Sequence, residues 1–148
     1  MLLINRRAFT RELTRFMAVA RRYGHASCLA YFDVDGLKQM NDRHGHGAGD
    51  AALVRVATIL LDNVRGSDVV GRLGGDEFAV ILVQSSLAAA EETAARLSEE
   101  VRRARFDWKG HLVGVTVSHG VHPITPGEVA DEALQGGELV MYRRKRGE

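Results

Sequence analysis

Arg72-Leu73-Gly74-Gly75-Asp76-Glu77-Phe78 runs directly into Ala79-Val80-Ile81-Leu82-Val83, and the reading of this stretch decides the fold. Two adjacent glycines permit a tight turn with unrestricted backbone angles, and the apolar run behind them is a buried strand. The segment from Asp68 to Leu73 has the composition of a second strand, so the two read as an antiparallel hairpin. Asp76 and Glu77 then stand at its turn. Carboxylates beside bare backbone suit a metal and phosphate site, whereas the plainer alternative is an ordinary hairpin whose acids face water.

Upstream, Cys28-Leu29-Ala30-Tyr31-Phe32 is continuously apolar and leads into Asp33-Val34-Asp35-Gly36. This is the pattern of a strand covered on both faces, delivering acids at its C-terminal end. If the hairpin lies beside that strand, Asp33 converges with Asp76 and Glu77. Hard oxygen ligands from two backbone segments suit magnesium, which polarises a phosphoryl group and helps deprotonate an attacking hydroxyl. Gly74 and Gly75 would let phosphate oxygens approach closely.

The remaining pattern places helices around these strands. Phe9, Leu13, Phe16, Met17 and Ala20 predict an amphipathic helix from about Arg6 to Arg22, ended by Tyr23-Gly24. A short helix from Leu37 to about His44 precedes a glycine-spaced loop, and Leu53, Ala57, Leu60, Leu61 and Val64 mark the next helix, closed by Arg65-Gly66-Ser67. Leu87 to Ala104 reads as a helix capped by Ser85 or Ser86, and Leu112 to Ser118 as a strand. The tail from about Glu128 to Arg146 reads as helical apart from Gly136-Gly137. The order predicts an α+β fold, an α/β sandwich whose mixed central sheet has a ferredoxin-like core flanked by helices.

Composition bounds the function. The 148 residues form one domain, with 45% hydrophobic and 26% charged residues, the balance of a globular protein. A net charge of +1 makes no global case for DNA, RNA or an anionic membrane as partner. The single cysteine, Cys28, sits in an apolar run and fits a core position in a reducing setting. No apolar stretch approaches membrane-spanning length. Gly45, Gly47 and Gly49 lack the preceding strand of a dinucleotide fingerprint, and His44, His46, His119 and His122 lack the partners of a zinc site. Arg143, Arg144 and Arg146 are read as offsetting a helix dipole rather than as a nucleic-acid patch.

Several motifs occur together: Gly74-Gly75-Asp76-Glu77-Phe78, Asp33-Val34-Asp35-Gly36-Leu37-Lys38 with Asn41-Asp42, Gly45-His46, Gly49-Asp50, and Thr116-Val117-Ser118-His119-Gly120. In this order they resemble the GGDEF domain, the diguanylate cyclase family, from Leu3 to about Lys145. The resemblance implies a nucleotidyl-cyclase-like core and a reaction in which two GTP condense into cyclic di-GMP with loss of pyrophosphate. It implies Mg2+ or Mn2+ as cofactor, and a second GGDEF domain facing the first, since each holds one GTP. By position, Asp33 and Asp76 would bind metal with the Val34 carbonyl, and Glu77 would complete the acidic site as a ligand or acid-base group, on the turn made by Gly74 and Gly75. Asn41 and Asp50 would recognise guanine, between apolar walls at Leu3 and Leu53. Lys38, Lys145 and backbone amides near Leu37 would meet phosphate.

The family's R-x-x-D inhibitory motif is matched by Arg65-Gly66-Ser67-Asp68, separated from Gly74 by the five residues Val69 to Leu73, which implies product inhibition by cyclic di-GMP. At the C-terminus two registers compete for the family's A-D-x-A-L/M-Y-x-A-K pattern. The one beginning at Ala130-Asp131 loses its Tyr and Lys; the one beginning at Gly137-Glu138 keeps Tyr142 and Lys145 but replaces Ala with Gly137 and Asp with Glu138. The second is taken. This departure motivates an alternative, a catalytically weak module that binds GTP or cyclic di-GMP as a receptor. The missing lead-in before Leu3 implies one domain, residues 1–148, cut from a longer bacterial signalling protein with an upstream sensor. The domain itself is expected in the cytoplasm without membrane contact, although the parent could be anchored.

Overall fold

The computed structural model describes residues 3–147. Chain order is β1 (Leu3–Asn5), α1 (Arg6–Tyr23), β2 (Cys28–Asp35), α2 (Leu37–His44), α3 (Ala48–Asp62), β3 (Val69–Gly74), β4 (Glu77–Leu82), α4 (Leu87–Arg103), β5 (Phe106–Trp108), β6 (His111–Val113), β7 (Thr116–Pro123) and α5 (Ala130–Lys145). The main sheet runs β1-β3-β4-β2-β7. From β2 onward, the unit β2-α3-β3-β4-α4-β7 has antiparallel neighbours in the order β7-β2-β4-β3, which is the ferredoxin-like arrangement. β1 pairs parallel with β3 and makes the sheet mixed.

The period-two alternation of β2 sorts the core into two layers. Ala30, Phe32 and Val34 join Phe78 and Val80 under α3 and α4. Leu29 and Tyr31 join Ala79 and Ile81 under α1 and α5. Seven successive residues of β2, Cys28 to Val34, are buried, as a central strand sandwiched between helices requires. Asp33 and Asp35 continue the Leu29-Tyr31 side and therefore face the layer that holds α5.

Three expectations are corrected. β1 was not foreseen, because three residues carry no readable alternation. The expected strand Leu112 to Ser118 is two: β6 pairs only with β5, and β7 starts at Thr116. Between them Gly114 passes so close to Arg105 and the Ala104 carbonyl that a Cβ would lie 2.6–3.1 Å from them. Gly136-Gly137 does not interrupt α5, which continues to Lys145. Tight packing explains both glycines, since a Cβ on Gly136 would lie 2.5 Å from His122 Nδ1 and one on Gly137 would touch Tyr31 and Leu29 at 3.4–3.5 Å.

Candidate catalytic site

The hairpin turn is held in place by three contacts. Gly74 pairs with Glu77 across it, after a register shift between Arg72 and Gly74, and both Gly74 and Gly75 take positive φ. Arg72 folds back and donates from Nη2 and Nε to the Gly75 carbonyl at 2.7 and 3.1 Å. On the other side, the Val34 amide donates to the Asp76 carbonyl at 2.9 Å, tying the turn to the end of β2. Asp33 stands directly opposite Glu77 in the ladder.

Asp33 and Asp76 are thereby brought together. Burial pushes the Asp33 carboxyl above its usual range, a hydrogen bond from Lys145 opposes this, and the charge of Asp76 adds to the rise. Asp33 Oδ2 accepts from Lys145 Nζ at 3.0 Å, while Asp33 Oδ1 is buried without a hydrogen-bond partner. An unsatisfied buried carboxylate oxygen beside a second carboxylate is a place where a hard cation relieves both desolvation and repulsion. The residues present therefore fit a divalent ion. Among the described residues, however, no three His, Cys, Asp or Glu side chains form a ready-made cage. One oxygen of Glu77 is already engaged: its Oε2 accepts from the Tyr31 hydroxyl at 2.6 Å.

Lys145 is delivered by the last turn of α5. Its ammonium bridges Asp33 at 3.0 Å and Asp35 at 3.3 Å, with the side chain 40% exposed. The Asp33 bond pushes its pKa up, against the desolvation that lowers it. Asp35 is held in turn by the Thr116 hydroxyl at 3.1 Å and the Ser118 hydroxyl at 2.9 Å.

Around α2 the expected nucleotide residues separate into a group and an outlier. The N-cap of α2 is Gly36, whose positive φ and missing side-chain cap leave first-turn amides near Leu37 open; Lys38 is exposed beside them. Asn41 Oδ1 accepts from the Gly49 amide at 2.8 Å, pinning α2 to the start of α3. That leaves its amide nitrogen, a donor, for a base. Asp50 is exposed in the first turn of α3 and Leu53 lies three residues further along the helix. Leu3 is 37% exposed on the edge strand, paired with Val70, and joins none of the core clusters. A cavity of about 840 Å³ meets this region only through Asp35, Gly36 and the far side of α2, and Asn41, Asp50 and Lys38 do not line it.

The Arg65-Asp68 pair sits at the opposite end of β3. Asp68, only 2% exposed at its side chain, accepts from the backbone amides of Arg65 at 3.0 Å and Val83 at 3.1 Å. Arg65 is 57% exposed, reaches Asp68 at 3.4 Å and also donates to the Val83 carbonyl and Ser85 hydroxyl. Both line a recess of about 400 Å³ with Gln84, Ser86, Thr93 and Arg96. Three residues at these sites were not assigned from sequence: Tyr31, Asp35 and Arg72. For the first two a signal existed, since positions 31, 33 and 35 of a strand share one face.

Fold and site together define a mixed-sheet α+β domain with an acidic pair, Asp33 from the end of β2 and Asp76 from a glycine turn. The diguanylate cyclase GGDEF domain model matches residues 2–148, and the chain belongs to this family. The probable diguanylate cyclase DgcE of Escherichia coli K12 is 33% identical over 146 residues, covering 98% of this chain and 13% of that protein. Diguanylate cyclase DgcP of the same strain is 33% identical over 143 residues, covering 96% of this chain and 42% of that protein. The chain thus spans less than half the length of these curated relatives. Among solved structures, diguanylate cyclase SiaD of Pseudomonas aeruginosa, in complex with its activator SiaC, superposes with a TM-score of 0.93 at 32% identity, covering 98% of this chain and 56% of that one. The GGDEF domain of DgcB from Caulobacter crescentus, in complex with c-di-GMP, gives 0.92 at 31% identity, covering 98% and 84%. No described helix is long and apolar enough to cross a membrane.

Proposed function

We propose that this domain condenses two GTP into cyclic di-GMP and two pyrophosphates, each of two facing domains holding one nucleotide. The observation that carries this reading is the convergence of Asp33 and Asp76 at the Gly74-Gly75 turn, with one buried Asp33 oxygen unsatisfied. Asp33, Asp76, the Val34 carbonyl and Glu77 are the groups that would hold Mg2+ or Mn2+. Such an ion neutralises charge on the phosphates and lowers the cost of deprotonating a hydroxyl.

The chain's own groups supply the rest. In each half-reaction the 3'-oxygen of one GTP bonds to the α-phosphorus of the other, the bond from that phosphorus to the bridging oxygen breaks, and pyrophosphate leaves with its electron pair. Positioning is the main contribution of the protein. The Asn41 amide meets an acceptor on guanine, and the Asp50 carboxylate accepts from N1-H and the exocyclic amine, donors that adenine does not present together. Leu53, with Leu3, would wall the base. Lys38, the open amides of α2 and Lys145 meet the phosphates. Lys145 rests between Asp33 and Asp35 and needs only to exchange carboxylate for phosphate. Its arrival there supports the register that begins at Gly137-Glu138.

Cyclic di-GMP binding at Arg65, with Asp68 behind it, would restrain the enzyme; the DgcB complex with c-di-GMP supports a family capacity for the ligand. The receptor alternative predicts GTP or cyclic di-GMP binding without turnover. Incubation of the chain with GTP and Mg2+, with chromatographic identification of products, decides between them. Cyclic di-GMP formed by the parent supports the cyclase; calorimetric binding with no product supports the receptor.

A further inference from the structure

The ring of Tyr31 is fully buried in β2, two residues before Asp33 and on the same side of the sheet. Its hydroxyl is the only polar atom it brings to that layer, and it lies between two carboxylates. It donates to Glu77 Oε2 at 2.6 Å and lies 3.2 Å from Glu138 Oε2. A phenol has one proton, so a bond to one carboxylate is made at the expense of the other, and the shorter distance marks Glu77 as the main acceptor.

Close packing of α5 puts the second carboxylate there. Gly137 lets the helix lie against Tyr31 and Leu29, and Gly120 lets it lie against β7, where a Cβ would sit 2.4 Å from the Met141 amide nitrogen. Glu138 and Lys145 are seven residues apart on α5, two turns, so one face presents both to the site. The long side chain of Glu138 is what spans the distance to Tyr31.

We propose that Tyr31 is a positioning residue for Glu77, anchoring Oε2 so that Oε1 is presented to the cation at Asp33 and Asp76, with Glu138 as the rival acceptor that tunes how firmly Glu77 is held. This rests on the cation reading of the Asp33-Asp76 pair given above. Carboxylate ligands are commonly oriented by such a donor, and its loss typically weakens metal binding about 10- to 100-fold.

The test titrates Mn2+ alone into parent, Tyr31→Phe, Glu138→Gln and Asp76→Ala proteins and reads free Mn2+ by electron paramagnetic resonance, without nucleotide. Tyr31→Phe preserves the buried ring and is expected to bind Mn2+ about 10- to 100-fold more weakly. In turnover, excess Mn2+ is expected to restore its kcat while KM for GTP stays at the parental value. Glu138→Gln, on the half-buried face of α5, is expected to bind at least as tightly as the parent. Parental affinity in Tyr31→Phe with weakened Asp76→Ala overturns the role of Tyr31. Weakening by Glu138→Gln as large as by Tyr31→Phe also overturns it, by making Glu138 part of the cation shell. Unchanged affinity in Asp76→Ala removes the cation site itself, a failure of the functional reading rather than of Tyr31.

Discussion

Replacing Asp68 by alanine should destabilise the domain far more than replacing its partner Arg65. The buried carboxylate of Asp68 is the acceptor for two backbone amides, those of Arg65 and Val83, and so ties the loop after α3 to the end of β4. A buried donor left unsatisfied costs about 1–3 kcal/mol, so leaving both amides without their acceptor costs roughly 2–6 kcal/mol. The ion pair adds little, because Arg65 is 57% exposed and screened, on the order of 1 kcal/mol or less. For a chain of this size about 1 kcal/mol moves Tm by about 3 °C, so Asp68→Ala should melt roughly 6–18 °C below the parent and Arg65→Ala within about 3 °C. Thermal unfolding followed by circular dichroism measures both. If Asp68→Ala melts within about 2 °C of the parent, or if Arg65→Ala loses as much, the structural role assigned to Asp68 is wrong. The consequence for function is practical: Arg65→Ala is the clean probe of product inhibition.

Arg65→Ala should therefore weaken inhibition by cyclic di-GMP while leaving the initial rate largely intact, as progress curves with added product would show; equal inhibition in both proteins would exclude that site. His119 is buried against Ser98 and Phe32, and burial, with the charge of Arg144, holds its imidazole down to about 4. Because the unfolded value is near 6.5, the unfolded chain binds more protons between about pH 4 and 6.5, and stability must fall as pH drops through that window. Between pH 7 and 4.5 the loss is about 2 kcal/mol in urea unfolding, and His119→Phe should abolish that part of it. Lys145→Ala should raise KM for GTP while tightening Mn2+ binding without nucleotide a few-fold, since a competing ammonium has left Asp33 and Asp35. Gly120→Ala should cost about 1–3 kcal/mol or more by forcing α5 off the sheet. Gly66→Ala, with nothing within 4 Å of the new Cβ, should be silent by the same denaturation assay.

The sandwich was legible because its main elements carry strong patterns. β2 and β4 are built on the apolar runs Cys28 to Phe32 and Phe78 to Leu82, and α1 and α4 carry apolar stripes, so their order alone implied the ferredoxin-like core. The three-residue strands β1, β5 and β6 are too short for any periodicity to register. Gly136-Gly137 misled in a specific way: from sequence a glycine pair signals a break, whereas here it signals contact, a choice that depends on where α5 docks. The same docking hid the roles of Tyr31 and Asp35, whose partners Glu138 and Lys145 lie more than 100 positions away in the chain. Asp33 and Asp76 were visible because a strand end and a turn are local features, and only their adjacency had to be assumed.

The most direct test is turnover of GTP with Mg2+ by the chain fused to a dimerising segment, beside an Asp76→Ala copy of the same fusion. Cyclic di-GMP and pyrophosphate should form in a ratio of one to two in the parent fusion and fall to background in the variant. No cyclic di-GMP from the parent fusion, or equal amounts from both, would contradict a cyclase built on the Asp33-Asp76 pair.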